Sequence, residues 1–174
     1  MVDVDRRVKR HSWINSFPVV PVDIHGNVVV DRGDLLFLDS DNKLRNRGVS
    51  VADHYAYPFG KISGTTLTLA SNITLAKTHF IGVATSPSDS GVTEQIGVYA
   101  GGLFRYPMKN ARKVHFGYYA LPCGSGVTLY NQKLNLSATS ANMIAKICCG
   151  GDLTTTVEVQ ISSIIQPMAA LDDN

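Results

Sequence analysis

Glutamate is almost missing from this chain. Glu94 and Glu158 are the only two in 174 residues. Asp, Glu, Lys and Arg together make up 17%, against about 25% in a typical soluble domain. That excludes the Glu/Lys/Ala/Leu-rich composition of helical proteins. Gly, Ser, Thr and Asn stand where the charge is missing, and Val and Thr, which favour strands, are plentiful. The length bounds the chain to one domain, or one domain plus an arm. A domain of this size buries roughly 70% of the surface its unfolded chain exposes, so it builds a core without disulfides or metals. The composition predicts an all-β fold.

Other absences exclude whole classes. A net charge of +2 leaves no polycation to coat nucleic acid. No apolar run approaches the roughly 18 residues of a spanning helix, so no membrane role is expected. Arg6, Arg7, Lys9 and Arg10 are followed by no apolar h-region, because Asn15, Pro18 and Pro21 break the stretch from Trp13 to Val22. This is not the pattern of a secretory signal. The three cysteines, Cys123, Cys148 and Cys149, cannot all pair within one chain. An odd count, with two adjacent, reads as buried thiols in a reducing compartment.

What is present divides into an arm and a body. Residues 1–24 alternate acids, bases and valines, then carry Trp13, Phe17 and the pair Pro18/Pro21. Proline pushes its predecessor into extended conformations, so this segment reads as an extended N-terminal docking arm. Residues 25–166 read as a β-rich body, and 167–174 as a frayed C-terminal tail. Strands are expected at Asn27–Val30, Leu35–Leu38, Thr65–Leu69, Phe80–Ala84, Gln95–Tyr99, Gly101–Pro107, Lys113–Leu121, Gly126–Tyr130, Met143–Cys148 and Thr155–Ile165. A short helix fits near Val51–Tyr57, and Ser71–His79 fits a short helix or an irregular strand equally well. Strands recurring every ~8–12 residues signal a compact β-sandwich or barrel-like body.

The order of elements sounds twice. Gly33–Leu38, Phe80–Ala84 and Gln95–Val98 echo Gly126–Tyr130, Met143–Ile147 and Thr156–Ile161. Two related β-subunits would produce this. So would the turn–strand rhythm of any all-β chain.

Chemistry-bearing patterns are sparse. No two of His11, His25, His54, His79 and His115 lie at the spacing of a compact zinc motif, nor does any sit beside a cysteine. Asp89-Ser90-Gly91 has the look of a protease serine loop without its flanking glycines. Cys123 lies in Pro122-Cys123-Gly124-Ser125-Gly126, with no evident positive neighbour to make a thiolate. Phosphate-binding glycine loops are absent. Asp39, Asp41 and Asn42 lack the glutamate that closes an EF-hand loop. No catalytic residue, metal or cofactor is expected. The sharpest local feature is the cluster Arg6, Arg7, Lys9 and Arg10 with Trp13 and Phe17, residue types that anchor protein interfaces. Arginine beside an aromatic also binds nucleic acid, but Asp3 and Asp5 dilute the charge.

Three passages occur in a familiar order: Gly33-Asp34-Leu35-Leu36-Phe37-Leu38-Asp39, then Phe80-Ile81-Gly82-Val83-Ala84 followed by Ser90-Gly91, then Val98-Tyr99-Ala100-Gly101-Gly102-Leu103-Phe104. Together with Val157–Ile161 they resemble the small capsid cement, or head decoration, proteins of tailed bacteriophages. The likeness spans about residues 26 to 162. It departs from the family pattern at Ala145, where glycine is usual, and in the added length of 1–24 and 44–60. The resemblance implies a structural, non-enzymatic virion protein on the outer surface of the head. It would bind and bridge subunits of the major capsid protein and stabilise the shell, and homo-oligomers, trimers above all, are common in such proteins. Arg6, Arg7, Lys9, Arg10, Trp13 and Phe17 would then contact the capsid protein or a neighbouring copy. Nucleic acid is not an expected partner on this reading. The alternative is another virion shell or tail component, such as a coat protein whose basic arm touches the genome.

Overall fold

The computed structural model describes residues 19–39, 55–62, 68–90, 94–149 and 151–163. Ten strands and one helix lie among them: β1 (Val19–Ile24), β2 (Leu35–Asp39), β3 (Tyr55–Pro58), α1 (Leu69–Thr78), β4 (Phe80–Ala84), β5 (Glu94–Tyr99), β6 (Gly101–Val114), β7 (Tyr119–Ser125), β8 (Thr128–Ser137), β9 (Ala145–Ile147) and β10 (Gly151–Ser162). A single 3-10 turn, Phe59–Lys61, follows β3. The strands close into two five-stranded barrels, β1-β3-β2-β4-β5 and β10-β6-β8-β7-β9. Closure removes the open edges that would otherwise template aggregation.

The two barrels have the same topology. β1 runs parallel to β3 and antiparallel to β5, as β6 does to β8 and β10. β2 lies between β3 and β4, as β7 lies between β8 and β9. The match extends to single residues. Ile24 pairs with Ala56 as Met108 pairs with Leu134. Val30 bridges Ser88 as Val114 pairs with Gly151. Gly33 (φ 91°) and Gly117 (φ 84°) each close a turn two residues ahead of the next strand. One constant spacing separates Val19 from Leu103, Ile24 from Met108, Val30 from Val114 and Gly33 from Gly117. The first two strands of each barrel, with their connection, therefore align without a gap. The two related β-subunits expected from the echo are real. One correspondence is corrected: the counterpart of β2 is β7, not the Gly126–Tyr130 stretch.

Several other expectations change. Val19–Ile24, grouped above with the arm, is the first strand of the first barrel and is zipped to β5 from Val19↔Tyr99 to Ile24↔Glu94. It is extended, as its prolines require, but integrated. The helix considered near Val51–Tyr57 is instead strand β3 from Tyr55 onward. Leu69, read as the end of a strand, opens helix α1, whose N-terminus is capped by Thr68 Oγ1 accepting from Ser71 N at 3.2 Å. The alternation from Lys113 to Leu121 is not one strand: a turn at His115–Tyr118 separates β6 from β7. Asn27–Val30 contributes one bridge rather than a strand. Residues 1–18, 40–54, 63–67, 91–93, 150 and 164–174 lie outside the described residues.

Buried side chains of both barrels form one continuous apolar cluster. Its largest members include Phe37, Tyr57, Phe59, Phe80 and Tyr106, with Phe59 and Phe80 edge-to-face at 5.7 Å. Each such ring contributes roughly 2–3 kcal/mol by leaving water. The division into two barrels is one of topology, while the core is shared.

Candidate docking surface and the joint between the barrels

The most concentrated buried polar chemistry lies where the barrels meet. Asp34, in the turn before β2, is 2% exposed. Its Oδ1 accepts from Gln132 Nε2 at 2.7 Å, and its Oδ2 from Asn131 Nδ2 at 3.3 Å and Asp31 N at 3.0 Å. Gln132 also donates to the Arg32 carbonyl at 3.3 Å, and the Tyr106 hydroxyl to the Gly33 carbonyl at 2.9 Å. Asn131 Oδ1 in turn accepts from Gly60 N at 2.6 Å. Burial raises the Asp34 carboxyl above its ordinary 3.8, against the lowering effect of its hydrogen bonds. Burial also pushes the Tyr106 hydroxyl upward, with the Asp34 charge adding to it. All of these groups are spent on one another. The cluster is a fastening in which Asn131, Gln132 and Tyr106 of the second barrel donate to the turn of the first, and Gly60 N of the first donates back to Asn131.

Two further ties flank it. Asn72, on the buried side of α1, donates to the Val127 carbonyl at 2.6 Å and so holds the helix against the β7–β8 turn. After β10 the chain returns to the first barrel, where Ser163 Oγ donates to the Ile81 carbonyl at 2.8 Å.

The candidate residues read from the sequence are not among those the structure describes. Arg6, Arg7, Lys9, Arg10, Trp13 and Phe17 all lie outside the described residues. The described chain resumes at Val19, which is 51% exposed on β1. Its counterpart Leu103 is 36% exposed on β6. The three cysteines are unpaired. Cys123 is buried, and burial pushes its thiol up to about 11, so it carries little thiolate at neutral pH. Cys148 is half-buried and Cys149 exposed, which corrects the expectation that all three are buried. Among the described residues no group of three or more His, Cys, Asp or Glu is placed to hold a metal, and no helix is long and apolar enough to cross a membrane.

One surface was missed by sequence reasoning. The β6–β7 turn projects Phe116, 78% exposed, beside the exposed Arg112, Lys113 and His115. Alternation placed Phe116 on one strand face with Val114 and Tyr118. The signal that reveals the turn is Gly117, at the constant spacing from Gly33.

No protein-family model matches the chain, and no curated protein matches it. Among solved structures it is similar to the N base of the head fiber gp8.5 in bacteriophage phi29, at 12% sequence identity and a TM-score of 0.45. That alignment covers 83% of this chain and 95% of the other.

Proposed function

We propose that this protein is a structural virion protein of the cement or decoration kind, which binds the outside of a phage head and bridges major capsid subunits. The observation that carries the reading is the way the three family-like passages interlock. Gly33 and Asp34 exchange backbone hydrogen bonds with Ala84: Gly33 N donates to the Ala84 carbonyl at 3.0 Å and Ala84 N to the Asp34 carbonyl at 2.9 Å. Gly82 lies against Tyr99 and Val98. Tyr99 and Phe104 are in ring contact at 5.8 Å, carrying the third passage from β5 into β6. The residues behind the resemblance are thus the framework of the first barrel and its junction with the second. A double barrel with a shared core and sparse charge suits adhesion to a larger surface, where many identical weak contacts sum by avidity. The segment before Val19 supplies the docking arm in this reading, and the copies act as homo-oligomers, trimers by analogy with the family.

The test uses expanded heads that lack the protein. The full chain is expected to sediment with them and to saturate at a fixed ratio. A variant lacking residues 2–17 is expected to keep the wild-type circular dichroism and melting temperature but to stay in the supernatant. Undiminished binding by the truncated chain would remove the arm's role. No binding by the full chain would remove the head-binding reading itself.

A further inference from the structure

Each barrel carries the same turn ahead of its second strand. In the first barrel this turn, Asp31–Asp34, is covered: the Arg32 and Gly33 carbonyls and the Asp34 carboxylate all receive donors from the second barrel. In the second barrel the matching turn is His115–Tyr118, with the same backbone closure (Tyr118 N to the His115 carbonyl, as Asp34 N to the Asp31 carbonyl). Phe116 stands where Arg32 stands, and no described residue covers it. It is the most exposed large hydrophobic side chain among the described residues.

The exposed charge differs between the two barrels. From residue 101 to 163 the sequence holds Arg105, Lys109, Arg112, Lys113, Lys133 and Lys146 against only Asp152 and Glu158. The first barrel instead presents an apolar spot beside two acids, one of them next to the exposed Arg32. Val29 is 51% exposed, and Asp31 and Asp89 are exposed beside it, brought together by the Val30↔Ser88 bridge. A phenylalanine flanked by arginine and lysine, and a valine flanked by aspartates, are complementary in both components.

We propose that the β6–β7 turn is a self-association site. Phe116, Arg112 and Lys113 of one copy dock on Val29, Asp31 and Asp89 of a second copy. The contact is head-to-tail, so it closes into a ring or extends, according to the rotation between copies. A second copy is favoured over a nucleic acid because the centre of the basic patch is an exposed apolar ring with an apolar counterpart on the same chain. The inference rests on the homo-oligomer part of the proposed function, to which it gives a surface, and not on head binding, which sedimentation with heads tests separately.

The contact is small, and small interfaces are weak. Sedimentation velocity of the full chain from roughly 1 to 100 μM is therefore the experiment. The expected result is a sedimentation coefficient that rises with concentration and falls with added salt. Phe116→Asp is expected to weaken association by about tenfold or more. Arg112→Glu and Asp89→Arg are each expected to weaken it, and an equal mixture of those two variants to restore it, because the exchanged charges again meet as opposites. A merely misfolded variant would not be rescued by mixing. A wild-type chain that stays monomeric throughout overturns the proposal, including one whose turn binds nucleic acid or another protein instead. So does association that Phe116→Asp leaves unchanged, or a mixture that fails to recover it.

Discussion

Replacing Gly82 by alanine is expected to cost about 3–5 kcal/mol of stability, the sum of a strained backbone and an overpacked contact. Gly82 has φ 140°, a region that side-chain-bearing residues rarely adopt. A Cβ there would overlap the Tyr99 carbonyl oxygen and lie 2.8 Å from Val98 Cγ1. The cause is a register shift in the β2–β4 ladder: Leu36 pairs with Gly82 but Phe37 with Phe80, which leaves Ile81 as an extra residue. Such a bulge re-aims the strand and calls for glycine. The repeat supplies the control. The equivalent residue in the second barrel is Ala145, which pairs with Ala120 and does not have a positive φ. Ala145→Gly is therefore expected to cost only about 1 kcal/mol, the conformational entropy of glycine. Urea denaturation of the two variants checks both values. A Gly82→Ala variant within about 0.5 kcal/mol of wild type, the range of a neutral surface change, would contradict the bulge.

The second large effect is at Asp34. Asp34→Ala strips the partner from two side-chain amides and a backbone N–H at the joint, and is expected to cost about 3 kcal/mol. The pH dependence has an unusual sign. The folded carboxyl titrates above its ordinary 3.8 because burial penalises the charged form. Its contribution to stability is greatest when it is protonated, below 3.8, and declines as pH rises through the folded value. Above that value the contribution is constant. Asp34→Asn keeps the shape and removes the titration. The stability of wild type relative to Asp34→Asn should therefore be greatest in acid, shrink as pH rises across this window, and then level off. Thermal melts of the pair at a series of pH values give the curve. A gap that widens with rising pH would mean that the joint stabilises the carboxylate, contrary to this account.

Much of the fold was legible in the sequence, and the parts that were not share a cause. Strands whose boundaries are marked by glycine or by polar loops, such as Leu35–Asp39, Phe80–Ala84 and Glu94–Tyr99, fall where turn chemistry and β-propensity put them. The echo between halves was visible because β4 and β9, and β5 and β10, keep similar apolar patterns. It slipped by one strand at β7 because Tyr119–Ser125 contains Pro122 and Gly124 and hardly reads as a strand, whereas Gly126–Tyr130 imitates the approach to β2. Helix α1 was ambiguous because it buries only Asn72 and Ala76, too little to set a helical period. The joint was illegible for another reason. Asp34, Asn131 and Gln132 are ordinary loop and strand residues until the fold brings them together from 97 and 98 residues apart in sequence. The docking arm, with Arg6, Arg7, Lys9, Arg10, Trp13 and Phe17, rests on the sequence alone, since it lies outside the described residues.

We propose above that this double barrel is carried on the outside of a phage head. The most direct test of that placement is the protein content of washed, DNA-filled particles, joined to an image reconstruction of them. The expected result is a fixed, symmetry-related copy number and two-lobed density on the outer face of the shell. Absence of the protein from washed particles, or density confined to the interior against the genome, would contradict it.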